Sequence, residues 1–219
     1  MNIVCSSGTR YAPGASLVVG ERGKELPLGS AVAPYRRVAW EMALGTGLRR
    51  GELAGLRWTD VIGDALHVRN NRTAVGHQVV ENLPKSKKSR RTVRIAPSPQ
   101  ETIRRWRTEQ GQLSLRLGSR AQYVLTDALL TPWHPNALTR SWLRDVERAV
   151  AEGLVPHRMR LHDCRHWHAT QLVAAGVDLN TVADRLGHAT AGFTLTVYGH
   201  SDVERDRGAA AAIGLALRG

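Results

Sequence analysis

An α+β fold, mainly α, with a helical body and a small antiparallel sheet on one side is what the 219-residue sequence predicts, on three observations. Leu161, Cys164, His168, Leu172 and Ala175 recur in steps of 3, 4, 4 and 3, the spacing of one apolar helix stripe. A second stripe, Leu138, Trp142, Val146 and Ala149, follows Pro135, whose fixed φ suits the first turn of a helix. Three stretches between residues 65 and 95 instead carry β-type residues, and in Thr92 to Ile95 an inward Val93 and Ile95 alternate with an outward Arg94.

Residues 1 to 33 scatter Gly and Ser among short apolar pieces without a sustained period, so they are expected to be a disordered or linker-like lead-in. Pro34 then opens a helix with Val38, Ala39, Met42 and Ala43 on its apolar face, running to the break at Gly45-Thr46-Gly47. In the helix that follows, Arg49, Glu52, Leu53 and Leu56 share a side; taken alone, Arg49 with Glu52 reads as an exposed ion pair. Strands are expected at Ala65 to Asn70, Val79 to Leu83 and Thr92 to Ile95. The run from Pro84 to Arg91 would tip a hairpin between the last two with ammonium groups. By itself it is a solvated charge run, with phosphate contact as the alternative.

Glu101 to Gln112 reads as a basic amphipathic helix with Ile103 and Trp106 inward, Tyr123 to Leu125 as a short strand or edge, and Pro135 to Ala151 as a helix with Trp142 in the core. The Leu161 helix stops at Gly176. Asp178 caps the next one, whose buried edge is Leu179, Val182 and Leu186 and whose end is Gly187. A short segment from Ala191 to Val197 leads to Tyr198. The tail, 201 to 219, carries Ile213, Leu215 and Leu217, which need a docking surface on this domain or on a neighbouring protomer. One domain, 34 to 200, lies between lead-in and tail.

A net charge of +12 and a pI near 10.9 put an excess of Lys and Arg on the surface, which suits a polyanion and favours nucleic acid over a membrane. No apolar run approaches the roughly 20 residues that a spanning helix needs, and no signal-peptide pattern opens the chain, so the expected location is cytoplasmic. Cys5 and Cys164 are too few for a disulfide framework, and Cys164 falls on the apolar stripe.

The chemistry-bearing groups concentrate in Leu161 to His200. His162 and Arg165, three apart beside the stripe, project from one helix end and can touch one shared ligand. His188 follows the Gly187 helix terminus, and Tyr198 stands ten residues further on, at a segment end.

TGLRRGEL at 46 to 53, PKSKKSRRTVRI at 84 to 95, LHDCRHWHAT at 161 to 170, RLGH at 185 to 188 and Tyr198, in this order and at these spacings, resemble the tyrosine recombinases, the phage-integrase family. The resemblance implies that family's catalytic-domain fold and site-specific recombination of double-stranded DNA, by cleavage and rejoining through a 3′-phosphotyrosine. Residue by residue it implies Arg49 and Arg165 as the phosphate-binding arginines, Lys85 as the hairpin lysine and general acid, with Lys87 as its rival, His162 and His188 as the histidines, and Tyr198 as the nucleophile. Glu52 would steady an arginine. A homotetramer on DNA and accessory DNA-bending proteins are the implied partners; no cofactor or metal is needed.

Those residue types suit the reaction. A tyrosine, with reference pKa about 10, is a fair nucleophile and leaving group toward phosphate, and guanidinium forks pair with the non-bridging oxygens on which charge gathers. The departing 5′-oxygen needs a proton, which a lysine can supply. Two departures stand out. Trp167 occupies a position where the family more often has Thr. The residues before 34 do not read as the N-terminal helical domain that closes the family's DNA clamp, so a catalytic domain alone is expected. Two rivals remain. His162, His166, His168, Cys164 and Asp163 could form the metal cluster of a nuclease, His162 and His166 being at i and i+4. A non-catalytic DNA-binding relative is the other.

Overall fold

The computed structural model describes residues 3–4, 10–11, 32–76, 78–82 and 90–187. Within the expected lead-in, β1 (Ile3–Val4) and β2 (Arg10–Tyr11) form a two-residue antiparallel ladder. The body begins with α1 (Pro34–Thr46), opened by its proline and closed by Gly47 in a left-handed conformation with φ 65°. A side chain at Gly47 would be strained and crowded, because a Cβ there would lie 2.8 Å from the His168 ring and 2.9 Å from Leu186. Glycine thus lets the end of α1 lie against two elements far along the chain. Next come α2 (Arg50–Gly55), for which Arg49 is the N-cap, and a 3-10 turn at Trp58–Asp60.

The β region differs from expectation in its pairing. β3 (Val61–Ile62), β4 (Ala65–Val68) and β7 (Arg91–Arg94) make one antiparallel sheet in that order, while β5 (Asn71–Val75) and β6 (Gln78–Asn82) make a separate hairpin through the turn at Gly76. Among the described residues, the strands on either side of the basic run therefore belong to different sheets and do not pair with each other. The physical reason is packing. Val93 and Ile95, 0% and 5% exposed, follow Leu66 and Val68 into the core, whereas Gln78–Asn82 is largely exposed on both faces and pairs with the polar Asn71–Val75.

Four helices complete the body: α3 (Pro97–Leu117), α4 (Pro135–Ala151), α5 (Leu161–Ala174) and α6 (Leu179–Leu186). α3 is longer than its apolar pattern, its second half presenting mainly exposed residues. Trp40 of α1 sits edge-on to both Trp142 of α4 and Trp133, with centroids 5.2 and 6.0 Å apart. Trp40 donates to Asp145 at 2.9 Å and Trp142 to the Met159 carbonyl at 3.0 Å, so these two indoles are buried without stranding an N–H. Asp178 caps α6 by accepting from the Asn180 and Thr181 amides, and Gly187, φ 67°, ends it. α6 packs on α5 through Ala169, Val173, Val182 and Leu186, which fixes the α6 C-terminus beside Gly47.

Candidate active site

Arg49, Arg91 and Arg165, from three distant parts of the chain, meet at the C-terminus of α6. The Arg91 Nε donates to the Arg185 carbonyl (2.6 Å), Arg165 Nη2 to the Leu186 carbonyl (2.6 Å), and Arg49 Nη2 to the Gly187 carbonyl (3.0 Å). The last carbonyls of a helix have no intrahelical partner and carry the negative end of its dipole, so guanidinium groups are drawn there. Each of three consecutive carbonyls takes one. The residue after them in sequence is His188.

Beneath this turn lies Glu52, 5% exposed. Its Oε1 accepts from Arg49 Nη1 (3.0 Å) and Arg91 Nη1 (2.9 Å), and its Oε2 from the Arg49 amide (2.8 Å) and Arg91 Nη2 (3.0 Å). Burial alone would raise this carboxyl, but the Arg91 fork, joined by Arg49, carries it below the ordinary 4.5. The pair Arg49–Glu52 is therefore not the exposed surface pair of the isolated sequence reading: Glu52 is inside, shared by two arginines, and only Arg49 keeps a 39% exposed side chain. Arg50, its neighbour, points elsewhere and bonds the Asn136 and Thr139 side chains at the start of α4.

α5 brings the other pair. The Arg160 amide donates to Asp163 at 2.8 Å and fixes the helix entry. Arg165 turns inward, 4% exposed, donating to the Gly47 carbonyl (2.7 Å) as well as to Leu186. His162 stays exposed and packs edge-on against His166, centroids 4.7 Å apart. The two residues expected to project together thus differ in depth, because two helix-terminal carbonyls draw the guanidinium in. Partial desolvation, then His166 and Arg165, push His162 down to about 4, so it is neutral at pH 7 and able to accept a proton.

His168 is a satisfied core imidazole. It is 7% exposed, donates through Nδ1 to the Leu44 carbonyl (2.8 Å) and accepts at Nε2 from Arg185 (3.0 Å), and burial with Arg185 holds it down at about 4. With both nitrogens of His168 occupied, and Cys164 1% exposed with its thiol pushed up by burial, the imagined metal cluster loses two of its members; among the described residues no group of three or more His, Cys, Asp or Glu is placed to hold a metal. Since His162 and His168 both sit below the usual 6.5, the unfolded chain takes up protons first. The stability they contribute is present above about pH 6.5 and is lost as pH falls toward about 4. Histidine NMR titration of the DNA-free protein is expected to give both midpoints near 4; a His162 midpoint above about 7.5 would leave it mostly charged at pH 7 and remove its role as a neutral base.

The structure brings Arg49 and Arg165 together and sets His162 one turn from Arg165. Lys85, its rival Lys87, His188, Tyr198 and the tail lie outside the described residues. Arg91 and Arg185 are the site residues the sequence reading missed, although both stand inside quoted motifs.

The chain is similar to several known proteins. The model of the phage integrase family matches residues 28–205. A XerC-like tyrosine recombinase of Caldanaerobacter subterraneus is 34% identical over 73% of this chain, and the ICEBs1 integrase of Bacillus subtilis 33% identical over 74%. The chain spans 44% of the length of each. Among solved structures, the Tn1549 transposon integrase in complex with transposon right-end DNA superposes with a TM-score of 0.75 at 19% identity, over 95% of this chain and 70% of that one. XerA recombinase gives 0.58 at 21%, over 92% and 66%. At these identities the structures speak to the fold, which is that of tyrosine-recombinase catalytic domains. Motifs, backbone and family match agree, and the chain belongs to the phage integrase family.

Proposed function

We propose that the chain cleaves and rejoins double-stranded DNA in site-specific recombination, Tyr198 attacking the phosphodiester to form a 3′-phosphotyrosine and release a 5′-hydroxyl. The observation that carries this reading is the meeting of Arg49 and Arg165 on adjacent carbonyls of the turn that leads into His188. Two guanidinium forks so placed can share the charge that builds on the non-bridging oxygens. Arg49 is held by Glu52 and Arg165 by the protein interior, so both are oriented before DNA arrives, which lowers the cost of organising them in the transition state. His162, neutral at pH 7, takes up the phenol proton or holds a phosphate oxygen, and His188 hydrogen-bonds the phosphate. Lys85, with Lys87 as its rival, protonates the departing 5′-oxygen, and no metal or ATP enters the scheme.

A homotetramer on DNA, with residues 201–219 docking on a neighbouring protomer, is part of the same proposal. Accessory DNA-bending proteins would help assemble it. Among the described residues no helix is long and apolar enough to cross a membrane, and access to DNA puts the reaction in the cytoplasm.

Incubated with a nicked duplex that traps the cleaved strand, the protein is expected to form a covalent adduct resistant to denaturant and to excess chelator. Tyr198→Phe should abolish it while leaving DNA binding within about twofold, since a phenol lacking its hydroxyl keeps its ring contacts. DNA binding without any adduct in the native protein would mark a non-catalytic relative. Cleavage that stops in chelator would mark a nuclease.

A further inference from the structure

We propose that Arg91 is a positioning residue for strand cleavage, acting through Arg49 and through the turn that precedes His188; the inference rests on the functional reading above. Arg91 is the first residue of β7, its side chain is 6% exposed, and it spends its fork on two partners that also hold Arg49. One is Glu52, gripped through both oxygens at 2.9 and 3.0 Å. The other is the α6 terminus, where Arg91 takes the Arg185 carbonyl and Arg49 takes the Gly187 carbonyl two residues on.

The result is a closed circuit. It runs from Glu52 to Arg91, to the end of α6, to Arg49 and back to Glu52. Rotating the Arg49 guanidinium requires moving either the carboxylate or the helix end, and Arg91 restrains both. No atom of Arg91 need touch DNA for this. A Cβ at Gly187 would come within 3.0 Å of Arg91 Nη1, so the arginine is packed directly under the αL turn and sets its height relative to the sheet. Lysine at 91 would keep a charge near Glu52 but has a single ammonium, which cannot take both carboxylate oxygens in a fork and the carbonyl at once.

The test uses the full chain and the nicked duplex. Arg91→Lys should fold, bind DNA within about twofold of the native protein, and form the covalent adduct ~10- to 100-fold more slowly at saturating DNA, the scale on which outer-shell supports and sub-ångström misplacement act. Placed in an Arg49→Lys background, the same substitution should slow the reaction little further, because the group it positions is already lost. Arg91→Gln tests the same circuit with the charge removed. An Arg91→Lys protein that cleaves at the native rate, that loses DNA affinity instead of rate, that does not fold, or whose defect multiplies fully with that of Arg49→Lys overturns the inference. A native protein that forms no adduct overturns the functional reading instead, so the two failures are told apart.

Discussion

Glu52→Gln is expected to cost about 3–5 kcal/mol of folding stability, seen as a fall in Tm of about 6–20 °C, the scale for removing one partner of a buried ion pair in a domain of this size. The carboxylate receives four hydrogen bonds, and Arg91, with a side chain only 6% exposed, has little water at hand to replace the two it gives. Glutamine keeps the shape but leaves two cations facing a neutral amide, one of whose ends is itself a donor. Acid should mimic the substitution. A carboxyl whose folded pKa lies below its unfolded value contributes stability that is present above about 4.5 and is lost as pH falls through the folded value. Urea melts at pH 7 and pH 3 check this: the difference between native and Glu52→Gln proteins should be large at pH 7 and shrink in acid. A difference under about 1 kcal/mol at pH 7 would show that Arg49 and Arg91 do not depend on this carboxylate.

Arg165→Lys is expected to slow covalent adduct formation on the order of 10²-fold or more at saturating DNA, the size of effect seen when one preorganised charge-stabilising donor is lost. A lysine can restore one hydrogen bond to Gly47 or Leu186 but not both, and it cannot present a planar fork to a phosphate. The variant should also lose stability, since a buried carbonyl at the α1 or α6 terminus is left without its donor. The kinetic comparison is therefore made at a temperature where both proteins are folded by circular dichroism. Arg50→Ala is the control. Exposed, and bonded to the Asn136 and Thr139 side chains, it should change the rate less than about threefold, whereas Arg49→Ala should behave like Arg165→Lys. Equal effects at Arg49 and Arg50 would mean that the motif's arginine has been assigned to the wrong position.

Much of the site was legible from local pattern. The break at Gly45-Thr46-Gly47 placed the end of α1, and the 3-4-4-3 stripe placed Cys164 and His168 inside and made His168 a core imidazole. Asp178 and Gly187 bounded α6. Alternation from Ile95 back through Val93 puts Arg91 on the inward face of β7, although its place at the end of a run of cations suggests a solvated side chain. The sheet pairing departs from the local pattern for a related reason. Adjacent β-type stretches favour a hairpin, but the register is settled by which strand can bury its apolar face, and Val93 and Ile95 needed Leu66 and Val68.

The sequence by itself determined the helices α1, α4, α5 and α6 with the ends of α4 and α6, the excess of basic residues and the order of the family's motifs, because each of these is read from the local chain, whereas β5 and the full length of α3 were not. Only the tertiary structure decided that Glu52 is buried between two arginines, that Arg165 lies deep while His162 stays at the surface, and that three guanidinium groups divide the last carbonyls of α6 among them. Those outcomes depend on the α6 terminus, β7 and α2 arriving at one point from 39 to 138 residues apart, where an unpaired helix end and a buried carboxylate select which of many cations they hold.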